Sequence, residues 1–435
     1  MRYHSTRGPA TGEGTTLAAA IAGGLAPDGG LYVPAGVPRL ETADFDGRQT
    51  PAEVAAVLLA PYFEGDVLAA ALPAICEETF RFELPVVPLD GDRGELAVLE
   101  LFHGPTAAFK DVGAGFLAAC LQRLEAGAER PLEILVATSG DTGGAVAAAF
   151  HRRPGISVGI LYPDGLVSPR QAHQLACWGD NVRTWKVTGS FDDCQRLVKA
   201  AFRDPAMRSR LRLSSANSIN IGRLLPQMVY YATTSLAWWR RRGEAPGFVI
   251  PTGNLGNAFA CLLAREMGLP IGDVILAVNA NRTIPDYFES GEWRPRPSIA
   301  TLASAMDVGD PSNVERLDWL YDGRDRADLR LSARAVSDEE IRAEIAAGPA
   351  RWGQVWCPHT ATAVRAWNSL DEARRSRPWV LVATAHPAKF ETVVEPLIGR
   401  RVPVPPALAE LLNLPAHAQP LEPNLEALRT ALTES

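Results

Sequence analysis

One lysine stands in a setting that is unusual for a basic residue. Lys110 lies in LFHGPTAAFKDVGAG, from Leu101 to Gly115, among glycine, alanine, threonine and phenylalanine. The chain has 43 lysines and arginines, and the only other lysines among them are Lys186, Lys199 and Lys389. Arginine supplies surface charge as well as lysine does, but it neither loses its proton usefully nor forms an imine. A lysine kept here therefore indicates a use for its amine.

The aromatic residues near Lys110 in the sequence suggest how that amine could become reactive. Phe102, Phe109 and Phe116 would remove water from it, which lowers its pKa and makes it a better nucleophile. A plainer interpretation is a lysine whose stem packs under the loop while its charged head reaches water. The lysine alone leaves both interpretations open.

Two glycine-rich loops each follow a short apolar segment, TSGDTGG at Thr138–Gly144 and PTGNLGN at Pro251–Asn257. Glycine lets the backbone approach an anion, and a following helix supplies free N–H groups at its N-terminus. GNLGN suits one phosphate monoester, with Asn254 and Asn257 assisting, whereas TSGDTGG suits a carboxylate or a second phosphate. Neither loop has the Walker A or GxGxxG pattern, which disfavours a nucleotide-binding module. Each loop alone is equally compatible with an ordinary turn.

The lysine and the two loops together match the needs of a pyridoxal phosphate enzyme that acts on an amino acid. The lysine would hold the cofactor aldehyde, GNLGN its phosphate, and TSGDTGG the substrate carboxylate. Thr384, at the end of an apolar segment, is the candidate for the pyridine nitrogen, where a hydroxyl leaves the ring largely uncharged. The alternative is a hydroxyl satisfied by local backbone, and on the residues alone this alternative is preferred.

These loops alternate with predicted strands and helices. Short apolar runs predict strands at Leu96–Leu101, Ile134–Ala137, Ile156–Tyr162, Phe248–Ile250, Val274–Val278 and Trp379–Ala383. Helices are predicted at Val112–Leu124, Ala145–Phe150 and Ala258–Met267. This order is typical of parallel sheets covered by helices, which bind ligands at the carboxyl ends of their strands.

Outside these units the sequence predicts plainer structure. The chain to about residue 85 indicates a small, mainly helical unit, in which Thr50–Glu53 fits a capping box with proline at the first helical position. Asn281–Asn313, rich in proline, glycine and polar residues, predicts a long irregular insertion near the ligand. Val402–Pro406 predicts an extended connection to a last short helical piece.

Composition and charge exclude several classes of protein. The 435 residues, 47% hydrophobic and 21% charged, suit two or three domains with a large core. A net charge of −7 without a basic block argues against nucleic acid. The six scattered cysteines lack a CxxC, which is typical of reduced thiols in a cytosolic enzyme, and no histidine pairing indicates a metal site.

The same sequence argues against a membrane location. No apolar run reaches the ~18 residues of a membrane helix. The N-terminus MRYHSTRGPATGEG lacks the apolar core of a signal peptide. We therefore expect a cytoplasmic protein with a small-molecule substrate.

Eight segments extend the pattern through nearly the whole chain. They are YHSTRG (Tyr3–Gly8), GLAPDGGLYVP (Gly24–Pro34), LFHGPTAAFKD (Leu101–Asp111), ATSGDTGGAV (Ala137–Val146), NSINIGR (Asn217–Arg223), PTGNLGNAFA (Pro251–Ala260), AMDVGDPSN (Ala305–Asn313) and TAHPAKF (Thr384–Phe390). In this order they resemble threonine synthases, which are pyridoxal phosphate enzymes of fold type II. The lysine segment together with TAHPAKF is highly specific, whereas GNLGN alone is not. Leu255 and Ile221 depart from the resemblance, which leads us to expect phenylalanine and tryptophan there.

The resemblance implies an α/β fold of the tryptophan synthase β-like type. Two open parallel-sheet domains would enclose the cofactor in a cleft, and a small helical extension would precede them. Residues 1–90 would form the extension, 91–112 with 215–435 the larger cofactor-binding domain, and 113–214 the smaller substrate-side domain. The enzyme would be a monomer or a homodimer.

The resemblance also implies roles for individual residues. Lys110 would form the Schiff base, and Thr384 would face the ring nitrogen. The cofactor phosphate would be bound by Gly253, Asn254, Leu255, Gly256 and Asn257. We assign Asn217 to the phenolic oxygen of the cofactor.

Substrate contacts are predicted in two groups. The residues expected around the substrate carboxylate are Thr138, Ser139, Asp141 and Thr142, although an anionic Asp141 is a poor direct partner for it. The candidates for the substrate phosphate are Ser218, Asn220 and Arg223. Lys389 is expected to be a structural ion-pair partner, with attraction of the anion as the alternative.

The implied reaction converts O-phospho-L-homoserine and water to L-threonine and phosphate by β,γ-elimination and replacement. One alternative is a related enzyme of the same fold that acts on another phosphorylated amino acid such as phosphoserine. A second is a non-catalytic paralogue that binds phosphorylated ligands, which the intact Lys110 and Thr384 disfavour.

Overall fold

The computed structural model describes residues 1–8, 13–89 and 95–433, without the side chains of 326 and 327. The strands in this part of the chain are β1 (Tyr3–Ser5), β2 (Tyr32–Pro34), β3 (Val86–Pro88), β4 (Leu96–Glu100), β5 (Leu132–Ala137), β6 (Ile156–Pro163), β7 (Val182–Val187), β8 (Arg212–Ser214), β9 (Gly247–Pro251), β10 (Val274–Val278), β11 (Leu331–Ala335), β12 (Trp379–Ala383) and β13 (Ala418–Leu421).

The α-helices alternate with these strands over most of the chain. They are α1 (Leu17–Gly23), α2 (Pro51–Phe63), α3 (Leu72–Thr79), α4 (Lys110–Leu124), α5 (Asp141–Phe150), α6 (Pro169–Ala176), α7 (Phe191–Arg203), α8 (Pro205–Arg210), α9 (Ile221–Leu224), α10 (Met228–Arg242), α11 (Gly256–Glu266), α12 (Thr283–Ser290), α13 (Val314–Leu320), α14 (Asp338–Trp352), α15 (Pro358–Asn368), α16 (Glu372–Arg375), α17 (Glu391–Ile398), α18 (Pro406–Leu412) and α19 (Leu425–Thr433).

Two larger sheets organise these elements. A six-stranded sheet has the order β11-β10-β9-β12-β4-β3, and its strands run parallel except for the edge strand β3. A five-stranded sheet has the order β13-β7-β6-β5-β8 and is parallel throughout. In the six-stranded sheet Ala383 lies opposite Glu100, so the loops that follow β12 and β4 begin side by side.

Apolar residues on both faces of the central strands explain their burial. Strands β9, β10 and β12 are buried at every position, as parallel strands covered on both faces require. One large core packs against both sheets and includes α4, α5, α10 and α11. Separate cores cover the opposite faces, with α15 on the six-stranded sheet and α7 and α19 on the five-stranded sheet.

Most of the predicted elements are confirmed, and their bounds differ mainly at helix starts. The strands predicted at Val274–Val278 and Trp379–Ala383 have those bounds, whereas α4 and α5 begin before the predicted Val112 and Ala145. The capping box is present, with the Thr50 hydroxyl accepting from Glu53 N and the Glu53 carboxylate accepting from Thr50 N.

The prediction that Asn281–Asn313 is irregular throughout is wrong in part. Helix α12 occupies Thr283–Ser290. Pro285 lies in its first turn, where the backbone N–H has no intrahelical partner, so the proline does not break the helix. The expected extended connection after Val402 leads to α18, and the chain then adds β13 and α19.

The division into three structural units stays a prediction. Its first boundary, at residues 90–91, lies outside the described residues. The chain end brings an unforeseen pairing, because β13 runs parallel to β7 in the five-stranded sheet. None of the described helices has the length and apolar character needed to cross a membrane.

Leu381→Ala should test the central packing. Leu381 is fully buried in β12, and removing such a side chain from a core costs about 2–5 kcal/mol. The matched control Leu166→Ala removes a leucine that is 66% exposed and should change the free energy of unfolding by less than about 0.5 kcal/mol. Denaturant unfolding of both variants checks this, and equal effects would contradict the central position of β12.

Candidate active site

Lys110 and Thr384 meet at the carboxyl edge of the six-stranded sheet. Lys110 is the first residue of α4, at the end of the loop that follows β4. Phe109 N donates to Thr384 O at 2.8 Å, and His386 N donates to Ala107 O at 3.0 Å. These bonds join the segment before Lys110 to the segment after β12, so two distant motifs of the sequence form one structure.

Burial shapes the chemistry of the Lys110 amine. Lys110 is half-buried, and removal of water lowers the pKa of its amine to about 8, while the Asp141 carboxylate opposes that shift. Its Nζ lies 5.7 Å from the centre of the Phe109 ring. The expected desolvation is confirmed, but the three phenylalanines differ. Phe102 packs on His103 and His386, and Phe116 packs on Phe63 in the core.

A buried clamp fixes the loop before Lys110. The Asp111 carboxylate accepts from Thr106 N at 2.9 Å and from the Thr106 hydroxyl at 2.5 Å. Burial raises the pKa of Asp111 to about 6. A Cβ on Gly104 would lie 2.5 Å from Asp111 Oδ2, so glycine allows this close approach.

The GNLGN loop joins β9 to the N-terminus of α11, as predicted for an anion cradle. Leu255 has a φ of +61°, which turns the chain into the helix. The Asn254 amide donates to Ser218 Oγ at 3.0 Å and accepts from Ser312 N at 2.7 Å, so neighbouring loops hold it.

Asn257 leaves a donor unused at the same helix end. Its Oδ1 accepts from the hydroxyls of Tyr230 and Tyr231 at 2.7 and 2.6 Å. Its Nδ2 is buried and has no hydrogen-bond partner among the described residues. A buried donor without a partner is costly, which favours a ligand acceptor at this position.

Some polar residues of the TSGDTGG loop hold the loop in shape, whereas others make no hydrogen bond to the protein. The Thr138 hydroxyl accepts from Gly140 N at 3.0 Å and Gly143 N at 2.9 Å, which shapes the turn into α5. The hydroxyls of Ser139 and Thr142 are half-buried and make no hydrogen bond within the described chain. Asp141 is buried and accepts from Lys389 Nζ at 2.8 Å and from Gln171 Nε2 at 2.9 Å.

Burial alone would raise the pKa of the Asp141 carboxyl, but the charges of Lys389 and Lys110 hold it well below its usual range. The carboxylate is therefore ionised and paired with Lys389. The structural ion pair expected for Lys389 is confirmed, and Asp141 is its partner.

The NSINIGR segment contains one capping residue and one unpaired cation. Asn220 caps α9 by accepting from Gly222 N, and its amide donates to Ile21 O. Arg223 is 2% exposed, forms no ion pair within the described chain, and has a buried Nε without a partner. Burial lowers the pKa of its guanidinium to about 10. Asn217 is half-buried, and its side chain makes no hydrogen bond within the described chain.

Sequence reasoning missed the residues that support these loops. Gln171 and Gln174 on α6 bond to Asp141 and to Thr106 O, and their spacing of three along a helix was the available signal. His359 is buried at the start of α15, and its Nε2 accepts from Ala305 N at 3.2 Å. Burial lowers the pKa of His359 to about 4, so the ring is neutral.

This arrangement fits pyridoxal phosphate. A partly accessible amine of lowered pKa, a helix N-terminus with an unused amide donor, and a buried hydroxyl at the end of β12 match the aldehyde, phosphate and ring nitrogen of that cofactor. The parallel sheets with their loops at one junction define the class, a pyridoxal phosphate-dependent enzyme of fold type II. The family model for pyridoxal-phosphate dependent enzymes matches residues 82–385.

Further comparisons identify the family. The models for the N terminus and the C-terminal part of threonine synthase match residues 2–80 and 360–432. Threonine synthase of Serratia marcescens is 38% identical over 97% of this chain and 96% of its own. The chain therefore belongs to the threonine synthase family.

Solved structures agree with this assignment. Pyridoxal phosphate-bound threonine synthase from Brucella melitensis matches with a TM-score of 0.90 and 35% identity, over 99% of this chain and 98% of its own. Threonine synthase from yeast matches with a TM-score of 0.91 and 30% identity, over 100% of this chain and 98% of its own.

Gly253→Ala should weaken cofactor retention. The added Cβ would lie 2.7 Å from Met306 Cα, so the phosphate loop or the 305–313 segment must shift. Overpacking of this kind costs about 1–3 kcal/mol, which corresponds to about fivefold to 150-fold in affinity. Gly115→Ala is the control, because its Cβ meets nothing within 4 Å. Equilibrium dialysis against the cofactor measures both, and unchanged affinity in Gly253→Ala would argue against this phosphate site.

Proposed function

We propose that this enzyme converts O-phospho-L-homoserine and water to L-threonine and phosphate, with Lys110 as the catalytic residue. The observation that carries this proposal is the Lys110 amine, which is half-buried with a pKa of about 8 beside the end of β12. An amine of that pKa is about one-tenth unprotonated at pH 7 and about half unprotonated at pH 8, far more than an ordinary lysine, so it can act both as a nucleophile and as a base.

The cofactor would be held by residues of three loops. Lys110 would take its aldehyde, the Gly253–Asn257 loop with the N-terminus of α11 its phosphate, Thr384 its ring nitrogen, and Asn217 its phenolic oxygen. Within the described chain the Thr384 hydroxyl makes no hydrogen bond, which supports this role. When bound, pyridoxal phosphate supplies an electron sink for negative charge that develops on the substrate carbons.

Lys110 would also move protons. When it is not bonded to the cofactor, its Nζ would be the base that accepts a proton from the substrate Cα. Its lowered pKa makes this group easier to deprotonate for that step. The same nitrogen can return a proton later in the reaction.

We assign different residues of the site to the carboxylate and to the phosphate of the substrate. We assign Ser139 and Thr142 to the substrate carboxylate, since both hydroxyls are available. We assign Ser218 and Arg223 to the substrate phosphate, because Arg223 has no carboxylate partner in the described chain.

Three residues predicted to bind substrate receive supporting roles instead. Thr138 shapes the TSGDTGG turn, Asn220 caps α9, and Asp141 is paired with Lys389. Their polar atoms are engaged by the protein, so we propose that they position the loops. We further propose a cytoplasmic enzyme that is a monomer or a homodimer and does not bind nucleic acid.

The reaction can be tested directly. Purified protein supplied with O-phospho-L-homoserine should release phosphate and form an equal amount of threonine, measured in the same tube. Lys110→Ala should lose both products and the visible absorption of the bound cofactor, whereas Lys199→Ala, which changes an exposed lysine on α7, should lose neither. Phosphate with 2-oxobutyrate would show that water addition fails, and turnover of phosphoserine alone would move the assignment to that substrate.

Arg223→Met should separate phosphate binding from chemistry. A hydrogen bond to a charged group contributes about 1.5–3 kcal/mol, so KM for phosphohomoserine should rise about tenfold to a hundredfold. Arg208→Met, which alters an exposed arginine on α8, is the matched control. Initial-rate measurements give KM and kcat, and an unchanged KM in a folded Arg223→Met protein would remove Arg223 from the phosphate site.

A further inference from the structure

Lys389 is a fully buried cation that joins the two larger sheets. It lies in the segment after β12 of the six-stranded sheet, and its side chain is 0% exposed. Its Nζ donates to Asp141 Oδ1 at 2.8 Å, at the start of α5 behind the five-stranded sheet. The same Nζ donates to Thr106 O at 2.6 Å, in the loop that leads to Lys110.

The surroundings of this pair fix its geometry further. Thr106 O also accepts from Gln174 Nε2 at 3.2 Å, and Asp141 Oδ1 also accepts from Gln171 Nε2 at 2.9 Å. The Ser168 hydroxyl donates to Lys389 O at 2.7 Å. Side chains of α6 thus approach the pair from the five-stranded sheet and leave the Asp141 carboxylate little freedom to turn.

Three charged residues act on the Lys110 amine, and Asp111 and His359 are further titratable groups close to it. Asp141 at the start of α5 is the anion that stabilises the protonated amine, while Arg223 on α9 and Lys389 after β12 act in the opposite direction. Asp111 on α4 is clamped by Thr106. His359 on α15 is neutral, because burial lowers its pKa to about 4.

Within the described chain Asp141 forms its ion pair with Lys389 and none with Lys110. We propose that Lys389 is a positioning residue that engages the Asp141 carboxylate in a direct ion pair and so weakens its hold on the protonated Lys110 amine, which can then lose its proton more easily. This inference deepens the proposed function, on which it rests, because that function needs one unprotonated lysine in a site that holds two.

The physical reason is a competition between the buried Lys389 amine and the half-buried Lys110 amine for one carboxylate. An opposite charge within about 4–6 Å shifts a pKa by about 1–3 units toward the charged form. Removal of Lys389 would leave Asp141 as a buried, unpaired anion, which is strongly unfavourable. The remaining lysine that can neutralise this anion is Lys110, whose amine would then stay protonated and unreactive.

The experiment measures the Lys110 amine without relying on turnover. The full-length protein is stripped of cofactor with hydroxylamine and acetylated briefly with acetic anhydride over about pH 6 to 10. Mass spectrometry then gives the fraction of Lys110 modified at each pH, with the exposed Lys199 as internal reference. The wild-type midpoint should lie at about 8.

Four variants decide the outcome. Lys389→Met should raise the midpoint by about one pH unit or more, and Asp141→Asn should lower it. Lys389→Met with Asp141→Asn should return it to near the wild-type value, since both charges are removed. Lys389→Arg keeps the positive charge and should stay near wild type. Lys199→Met is the control for a lost surface lysine, with Lys186 as its reference.

A merely structural role gives a different result. It would lower the melting temperature of Lys389→Met without moving the Lys110 midpoint, and that outcome would overturn the inference. If Lys389→Met does not fold, Asp141→Asn becomes the test. An unchanged Lys110 midpoint in Asp141→Asn would also overturn the inference. Failure of the wild-type protein to form threonine, with the midpoint shifts intact, would overturn the proposed function and leave this inference standing.

Discussion

One buried ion pair holds together the two halves on which the site is built. Two parallel sheets place the carboxyl ends of β5 and β12 at a common junction, where Asp141 and Lys389 meet. Neither charge reaches water, so their pairing and the added bonds from Gln171 and Thr106 must offset a large desolvation cost. The relative placement of the loops therefore depends on a contact between residues far apart in the chain.

In the loops of the site, short polar side chains form hydrogen bonds that hold the loop backbone in place. Thr138 bonds to two backbone amides, Asn220 caps α9, and Asn254 bridges to Ser218 and Ser312. Buried loop backbone needs such partners because it has no ladder or helix to satisfy it. Many polar residues of the motifs are thus engaged in building the loops, whereas Ser139, Thr142 and Thr384 keep hydroxyls that make no hydrogen bond within the described chain.

Local sequence explains the strands and the placement of Lys110, but not the partners that support it. An apolar run bounded by turn residues fixes β10 and β12, because burial on both faces needs little else. Helix starts are less visible, since the first turn of α4 or α5 requires no apolar periodicity. The choice of Asp141 as the partner of Lys389, and the pairing of β13 with β7, depend on long-range packing that no local pattern encodes.

Two further buried cations contribute positive charge to the region where the loops of the two sheets meet. Arg223 and Arg316 are both nearly inaccessible, and neither forms an ion pair within the described chain. Arg316 donates instead to Tyr32 O, Ile219 O and Asn313 Oδ1, which ties strand β2 to the NSINIGR segment and to the residue before α13. Burial lowers the pKa of Arg316 to about 9 and that of Arg223 to about 10, yet both stay charged at neutral pH. Carbonyl dipoles only partly neutralise these charges, so the loops keep a positive potential that favours anions over neutral molecules.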